Sequence, residues 1–176
     1  MYSTDSCSER KQNALPLAQV AAARRAVMAL ALLAASMLVG VAQLHAGGDW
    51  NDGQIAWRPH DEGLATAKDH KKPICLVVYT EWCPHCANYS KVFHDPKVVA
   101  QAKQFVMIRV DKDKNAEISK QYAPDGEYIP RTYFLSSAGT LDPEIHAPRE
   151  QYKYFYSETE PGSVLAGMDA AVKKLK

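Results

Sequence analysis

Two cysteines three residues apart, Cys83 and Cys86, have the type and spacing for chemistry in this chain. An apolar run, 74–79, precedes them, and a segment compatible with a helix follows. A strand followed by Cys-x-x-Cys and then a helix puts the first sulfur at the helix amino terminus. Unpaired N–H groups and the positive end of the helix dipole favour a thiolate there. Because the thiolate is the nucleophilic form, the pattern predicts a reactive dithiol.

The two cysteines are expected to have different roles. Cys83 would be the nucleophile, and Cys86, one turn further on and more enclosed, would resolve the mixed disulfide. Pro84 suits the first turn of a helix, where its missing N–H loses no partner. His85 can carry a positive charge or donate a hydrogen bond toward the Cys83 sulfur. Either effect stabilises the reduced thiolate form. Pro84 and His85 therefore favour a disulfide that oxidises its clients.

Other uses of a cysteine pair fit the sequence less well. A structural disulfide across such a short loop would add little stability. Zinc needs four ligands, and the sequence has no second Cys-x-x-Cys. Haem attachment needs a histidine directly after the second cysteine, where Ala87 stands. Cys75 lies in the apolar run and is interpreted as a core residue, so no metal or other cofactor is expected.

Composition is that of an ordinary globular protein, with 47% hydrophobic and 23% charged residues. Four basic and two acidic residues lie in positions 1–46, which leaves 17 basic and 18 acidic residues for the remainder. A nearly neutral domain gives no electrostatic reason to expect nucleic acid as a partner. Cys7 lies in the first segment, and three remaining cysteines do not form a disulfide-stapled scaffold.

Residues 1–46 are typical of a targeting segment. Arg24 and Arg25 precede a nearly continuous apolar stretch, 26–42, and small residues follow at 46–48. This pattern predicts a signal peptide, with an uncleaved membrane anchor as the alternative. Either leads to a periplasmic or secreted domain at 47–176. The final Lys-Lys-Leu-Lys, in place of an endoplasmic-reticulum retention signal, favours a bacterial protein.

The remaining chain reads as one domain in which strands and helices alternate. Gly47 to Pro59 is expected to be a loop, and Asp95 with Pro96 is expected to cap a helix. A strand, helix and strand in succession imply a right-handed parallel crossover. The predicted order is β-α-α-β-α-β-β-α after one initial helix. The predicted helices are 61–71, 87–94, 97–104, 115–122 and 163–175, and the predicted strands are 74–79, 105–110 and 132–135.

These motifs together resemble the thioredoxin superfamily over roughly residues 57–176. The tetrapeptide Cys83–Cys86 is that of DsbA-type periplasmic oxidants. Flanking stretches at 128–135, 143–145 and 152–156 are more similar to the small anterior-gradient group of thioredoxin-like proteins. The resemblance implies a three-layer α/β/α fold with a central mixed sheet.

The resemblance also implies roles for residues outside the cysteine pair. Pro130 would be a cis-proline that faces the dithiol, and Trp82, Ile129 and Pro130 would contact the substrate. Many thioredoxins have a buried acid six residues before the nucleophile, but this chain has Val77 there. Removal of the Cys86 proton would therefore need water or another group.

The predicted function is thiol–disulfide exchange with cysteine-containing protein clients through Cys83 and Cys86, with oxidation of the client favoured. A redox partner, in the membrane or elsewhere, would recycle the dithiol. As an alternative, the same site could run in reverse and reduce or isomerise client disulfides with electrons from a membrane donor. The alternative of another class is a chaperone-like module that binds clients without turnover.

Overall fold

A computed structural model describes residues 48–175 of the chain. The predicted targeting segment, 1–46, and Cys7 lie outside the described residues. The strands are β1 (Trp57–Arg58), β2 (Ile74–Tyr79), β3 (Val106–Asp111) and β4 (Arg131–Leu135). The α-helices are α1 (His60–His70), α2 (Pro84–Ser90), α3 (Pro96–Ala102), α4 (Ala116–Gln121) and α5 (Pro161–Leu175), and a 3₁₀ turn, Lys91–His94, joins α2 to α3.

The four strands form a mixed sheet in the order β1-β3-β2-β4. Strand β3 runs parallel to both β1 and β2, whereas β4 runs antiparallel to β2. Strand β2 is hydrogen-bonded on both edges, and Ile74 to Val78 are completely buried. A continuous apolar run is the sequence pattern of such a strand, because neither of its faces meets water.

Helices cover both faces of the sheet, so the three-layer α/β/α fold with a central mixed sheet is confirmed. Side chains of α2, α3 and α5 pack on one face of the sheet, and side chains of α1 and α4 pack on the other. The first face contributes Cys75, Val77, Met107 and Phe134. The second contributes Ile74, Leu76, Ile108 and Tyr133.

Helix α3 begins where the sequence predicts. The Asp95 carboxylate accepts hydrogen bonds from the backbone N–H groups of Lys97 at 2.8 Å and Val98 at 3.2 Å, and Pro96 occupies the first turn. These contacts satisfy two of the amide groups that a helix start leaves without partners.

Two expectations about strands were wrong. Trp57 and Arg58 were expected in a loop, but they pair with Met107 and Ile108 as a short edge strand. Two residues are too few to show a strand pattern in sequence, and their pairing depends on β3. The second strand expected after residue 135 is reduced to one bridge between Leu135 and Leu141.

Within residues 48–175, none of the helices has the length and apolarity needed to cross a bilayer.

Replacement of Gly167 by alanine should destabilise the domain. A Cβ atom there would lie 2.5 Å from Cε2 of Phe134 and 2.7 Å from the hydroxyl oxygen of Tyr156. Overpacking typically costs about 1–3 kcal/mol, and urea titration should show a loss of that size in the free energy of unfolding. Gly162→Ala in the same helix is the matched control, because its Cβ meets nothing within 4 Å. Equal losses in both variants would contradict the packing argument.

Candidate active site

The cysteine pair lies where β2 ends and α2 begins. Cys83 is the N-cap residue of α2, with Pro84 in the first turn as predicted. The Cys83 sulfur accepts a hydrogen bond from the backbone N–H of Cys86 at 3.3 Å. Both sulfurs are free thiols in this structure, and both residues are buried. The helix therefore gives the Cys83 sulfur a donor that stabilises negative charge.

Cys86 is the more enclosed of the two thiols, with no exposed surface. Burial is the main cause that raises the pKa of the Cys86 thiol well above that of free cysteine. Its hydrogen bond with Cys83 and the negative charge of Glu158 act in the same direction, while a backbone hydrogen bond with Thr80 opposes them. Cys86 therefore holds its proton strongly in the reduced state.

His85 has a partner that the sequence did not indicate. It was expected to carry a positive charge or to donate a hydrogen bond toward the Cys83 sulfur, and in the structure its Nδ1 lies 2.7 Å from Oε1 of Glu158. The imidazole ring also makes an edge contact with Phe155, with the ring centres 6.2 Å apart. Glu158 is 73 residues further along the chain, so no local pattern in the sequence indicates this pairing.

The peptide bond between Ile129 and Pro130 is cis, as the resemblance implies. Because β4 runs antiparallel to β2 and Arg131 pairs with Val78, the start of β4 lies at the edge of the sheet where β2 ends. Ile129 packs against the buried cluster that contains Cys83 and Cys86. The topology thus brings the predicted substrate-binding segment to the same edge as the dithiol.

A hydrogen bond joins α2 to β4 behind the dithiol. The hydroxyl groups of Tyr89 and Thr132 are 2.8 Å apart, and both residues are buried. This contact holds the helix that carries the cysteines against the strand that follows Pro130. It couples the two parts of the candidate site through the core.

Arg131, directly after Pro130, is completely buried. Within residues 48–175 its guanidinium donates to the carbonyl oxygen of Gly126 at 2.8 Å and to the hydroxyl and carbonyl oxygens of Ser119 at 2.5 and 3.2 Å. It also lies 6.0 Å from the ring centres of Tyr128 and Tyr133. Oxygen dipoles and aromatic faces surround the terminal nitrogens of this cation, and no local pattern in the sequence indicates its burial.

Trp82 is exposed, with 66% of its surface accessible. Its indole N–H donates to Oδ2 of Asp113 at 2.6 Å. The preceding residue, Glu81, accepts from Nζ of Lys114 at 2.5 Å. Both contacts fasten the segment before Cys83 to the turn after β3, and Lys114 offsets the charge of Glu81 near the dithiol.

Cys75 and Val77, also singled out in the sequence, are core residues. Cys75 is buried in β2, and burial raises the pKa of its thiol far above the ordinary value. Val77 is buried beneath the dithiol, so the acid common in thioredoxins is replaced by a core side chain. The side chain of His60 is only 10% exposed, and its Nε2 lies 3.0 Å from the Tyr122 hydroxyl.

The part of the chain that the structure describes contains no group of three or more His, Cys, Asp or Glu side chains that could hold a metal ion.

Comparison with known proteins identifies the family. A family model described as thioredoxin-like matches residues 56–137, which span both the cysteine pair and Pro130. An anterior gradient protein 2 homolog from Pongo abelii is 30% identical over 128 residues, which cover 72% of this chain and 71% of that protein. The chain belongs to the thioredoxin superfamily, in its anterior gradient group.

Two further comparisons bear on this anterior gradient-like chain. A thiol:disulfide interchange protein, DsbD, from Vibrio vulnificus is 49% identical over 53 residues, or 30% of this chain and 9% of that protein. The solution structure of a Thermus thermophilus thioredoxin matches with a TM-score of 0.55 at 23% identity, and covers 69% of this chain and 89% of that one. The structural match supports the fold.

In the reduced, folded protein, iodoacetamide should modify Cys83 first, Cys86 more slowly, and Cys75 only after unfolding. The order follows from the amide donor at Cys83 and the deeper burial of the other two thiols. Peptide mapping by mass spectrometry checks it.

The pH dependence of Cys86 provides the accompanying control. In a Cys83→Ser variant, the alkylation rate of Cys86 should still rise above pH ~8.5, where a free cysteine is half ionised, because burial raises its pKa. A plateau at or below that pH would contradict the proposed environment of Cys86.

Proposed function

We propose that this protein is a thiol–disulfide oxidoreductase that exchanges disulfides with protein clients through Cys83 and Cys86. The observation that carries the proposal is the N–H of Cys86 that donates to the Cys83 sulfur at the start of α2. The same helical turn holds the two sulfurs next to each other. A nucleophile with a stabilised anion beside a resolving thiol is what disulfide exchange requires.

In the oxidising direction, a client thiolate attacks Cys83 of the Cys83–Cys86 disulfide. The bond between the two enzyme sulfurs breaks, a bond between the client sulfur and Cys83 forms, and Cys86 leaves as a thiolate that takes up a proton. A second client thiolate then attacks the client sulfur of the mixed disulfide, which releases Cys83 as thiolate. The client loses two electrons, and the enzyme is left as a dithiol.

A redox partner must then accept those two electrons and restore the disulfide. With an electron donor in place of an acceptor, the same steps run backwards and reduce the client. The likeness to a protein named for thiol:disulfide interchange supports exchange as the reaction class. The direction depends on the reduction potential of the pair against that of its redox partner.

Client contact is proposed for the surface around the dithiol. Trp82 offers an exposed aromatic face, and Ile129 with Pro130 lies at the same edge of the sheet as Cys83. Backbone groups of an extended client segment could pair beside Pro130, so that sequence preference would be broad.

A Cys86→Ala variant should accumulate mixed disulfides with a disulfide-containing client, because Cys83 can attack but nothing resolves the product. Non-reducing electrophoresis and mass spectrometry would show the adduct at Cys83. Adding Cys83→Ala should abolish it. Cys75→Ala is the matched control and should exchange with the client like the wild-type protein, since Cys75 lies in the core.

Client binding that is equally strong without both active-site cysteines, with no covalent adduct in Cys86→Ala, would contradict the proposed function. That result would instead identify a module that binds clients without turnover.

We further propose that the domain works in the periplasm or outside the cell, where disulfides persist. The apolar stretch 26–42 after Arg24 and Arg25 supports export. Expression of the full chain in a Gram-negative host should give a periplasmic or medium fraction whose amino terminus lies near residue 47, or a membrane-bound fraction that retains the stretch. Intact protein found only in the cytoplasmic fraction would contradict export.

A further inference from the structure

The pairing of His85 with Glu158 is a contact of the candidate site that the motif does not explain. His85 lies between the two cysteines, and Glu158 lies in the loop before α5. Their side chains are 2.7 Å apart, and Glu158 is only 17% exposed although His85 is 66% exposed. An ionised carboxylate only accepts hydrogen bonds, so the proton of the imidazole belongs on Nδ1 in this contact.

The same loop holds the imidazole from two sides. Phe155 contacts the edge of the ring, and Arg149 lies over Phe155, 4.9 Å from its ring centre. Lys91 lines a shallow cavity of about 340 Å³ together with Glu158, but its Nζ donates to Oδ1 of Asn88 at 3.2 Å. Glu158 therefore pairs directly with His85.

The sign of the electrostatic effect follows from the charges. A disulfide carries no charge, whereas the reduced pair gains stability when Cys83 is a thiolate. A positive imidazole near the sulfur favours the reduced form. A carboxylate whose negative charge offsets that of the imidazole weakens this effect. The charge of Glu158 also adds to burial in raising the pKa of the Cys86 thiol, which further disfavours thiolate at the site.

We propose that Glu158 is a positioning residue that binds His85 and makes the Cys83–Cys86 disulfide less oxidising than its Cys-Pro-His-Cys sequence alone would make it. This inference rests on the proposed exchange function. In this proposal Glu158, which lies far along the chain from the cysteines, lowers the oxidising strength of a disulfide whose motif is typical of strong oxidants.

Glu158→Gln tests the proposal, because the amide keeps the shape of the side chain and removes its charge. The measured equilibrium is enzyme disulfide plus two glutathione thiols against enzyme dithiol plus glutathione disulfide, in which glutathione supplies two electrons. We expect the equilibrium constant to move toward the dithiol by about fivefold to tenfold, and a tenfold change corresponds to about 30 mV. Glu160→Gln, an exposed acid in the same loop, should stay within about twofold of wild type.

A double-mutant cycle separates this role from a general effect on charge. In a His85→Ala background, Glu158→Gln should shift the equilibrium constant by much less than in the wild-type background. An equal shift in both backgrounds, a shift below about twofold, or a shift toward the disulfide would overturn the proposal.

A measurement on the unmodified protein keeps the inference testable if the variants fold poorly. Nitrogen-15 NMR of the imidazole should show the proton of neutral His85 on Nδ1, and a ring protonated mainly on Nε2 would overturn the pairing. Wild-type protein that does not exchange with glutathione at all would instead refute the proposed function. Exchange with an unaltered constant in Glu158→Gln would refute only the role of Glu158.

Discussion

Strand β2 is hydrogen-bonded to β3 on one edge and to β4 on the other, and its side chains from Ile74 to Val78 are buried on both faces. A strand held in this way has little freedom to shift along its axis, because a slip by one residue would exchange the two buried faces. The residue where the chain leaves the sheet is therefore fixed, and with it the start of α2. The antiparallel pairing with β4 then brings Pro130 to the same edge, so that one strand positions both halves of the candidate site.

Opposing influences act on the two sulfurs at this edge. The amide of Cys86 and the start of α2 stabilise charge on the Cys83 sulfur, whereas burial and the nearby carboxylate of Glu158 keep Cys86 protonated. A difference of this kind separates a nucleophile from a resolving thiol without any change in residue type. Val77, a core residue, stands at the position where many thioredoxins have a buried acid, and the carboxylate near Cys86 comes from the loop before α5.

The parts of this structure that could be predicted from the sequence depend on neighbours along the chain. Short stretches of sequence are enough to predict the strand at 74–79, the helix cap formed by Asp95 and the dithiol at Cys83 and Cys86. The central sheet and the helices on its two faces were predicted from such local patterns. The partner of His85 could not be predicted, because it lies 73 residues away. The short strand β1 and the buried position of Arg131 were also beyond local patterns, since each depends on where distant segments pack.

The environment of Arg131 has a consequence for the motions of the segment that carries Pro130. Its guanidinium has no exposed surface and is held by carbonyl and hydroxyl oxygens of Ser119 and Gly126. If the segment 119–126 moved away alone, a cation would be left in the core without those oxygens, at a cost of several kcal/mol. The end of α4, the loop that follows it and the start of β4 should therefore open and close as one cooperative unit, and the edge of the sheet beside the dithiol should be rigid on the timescale of client binding.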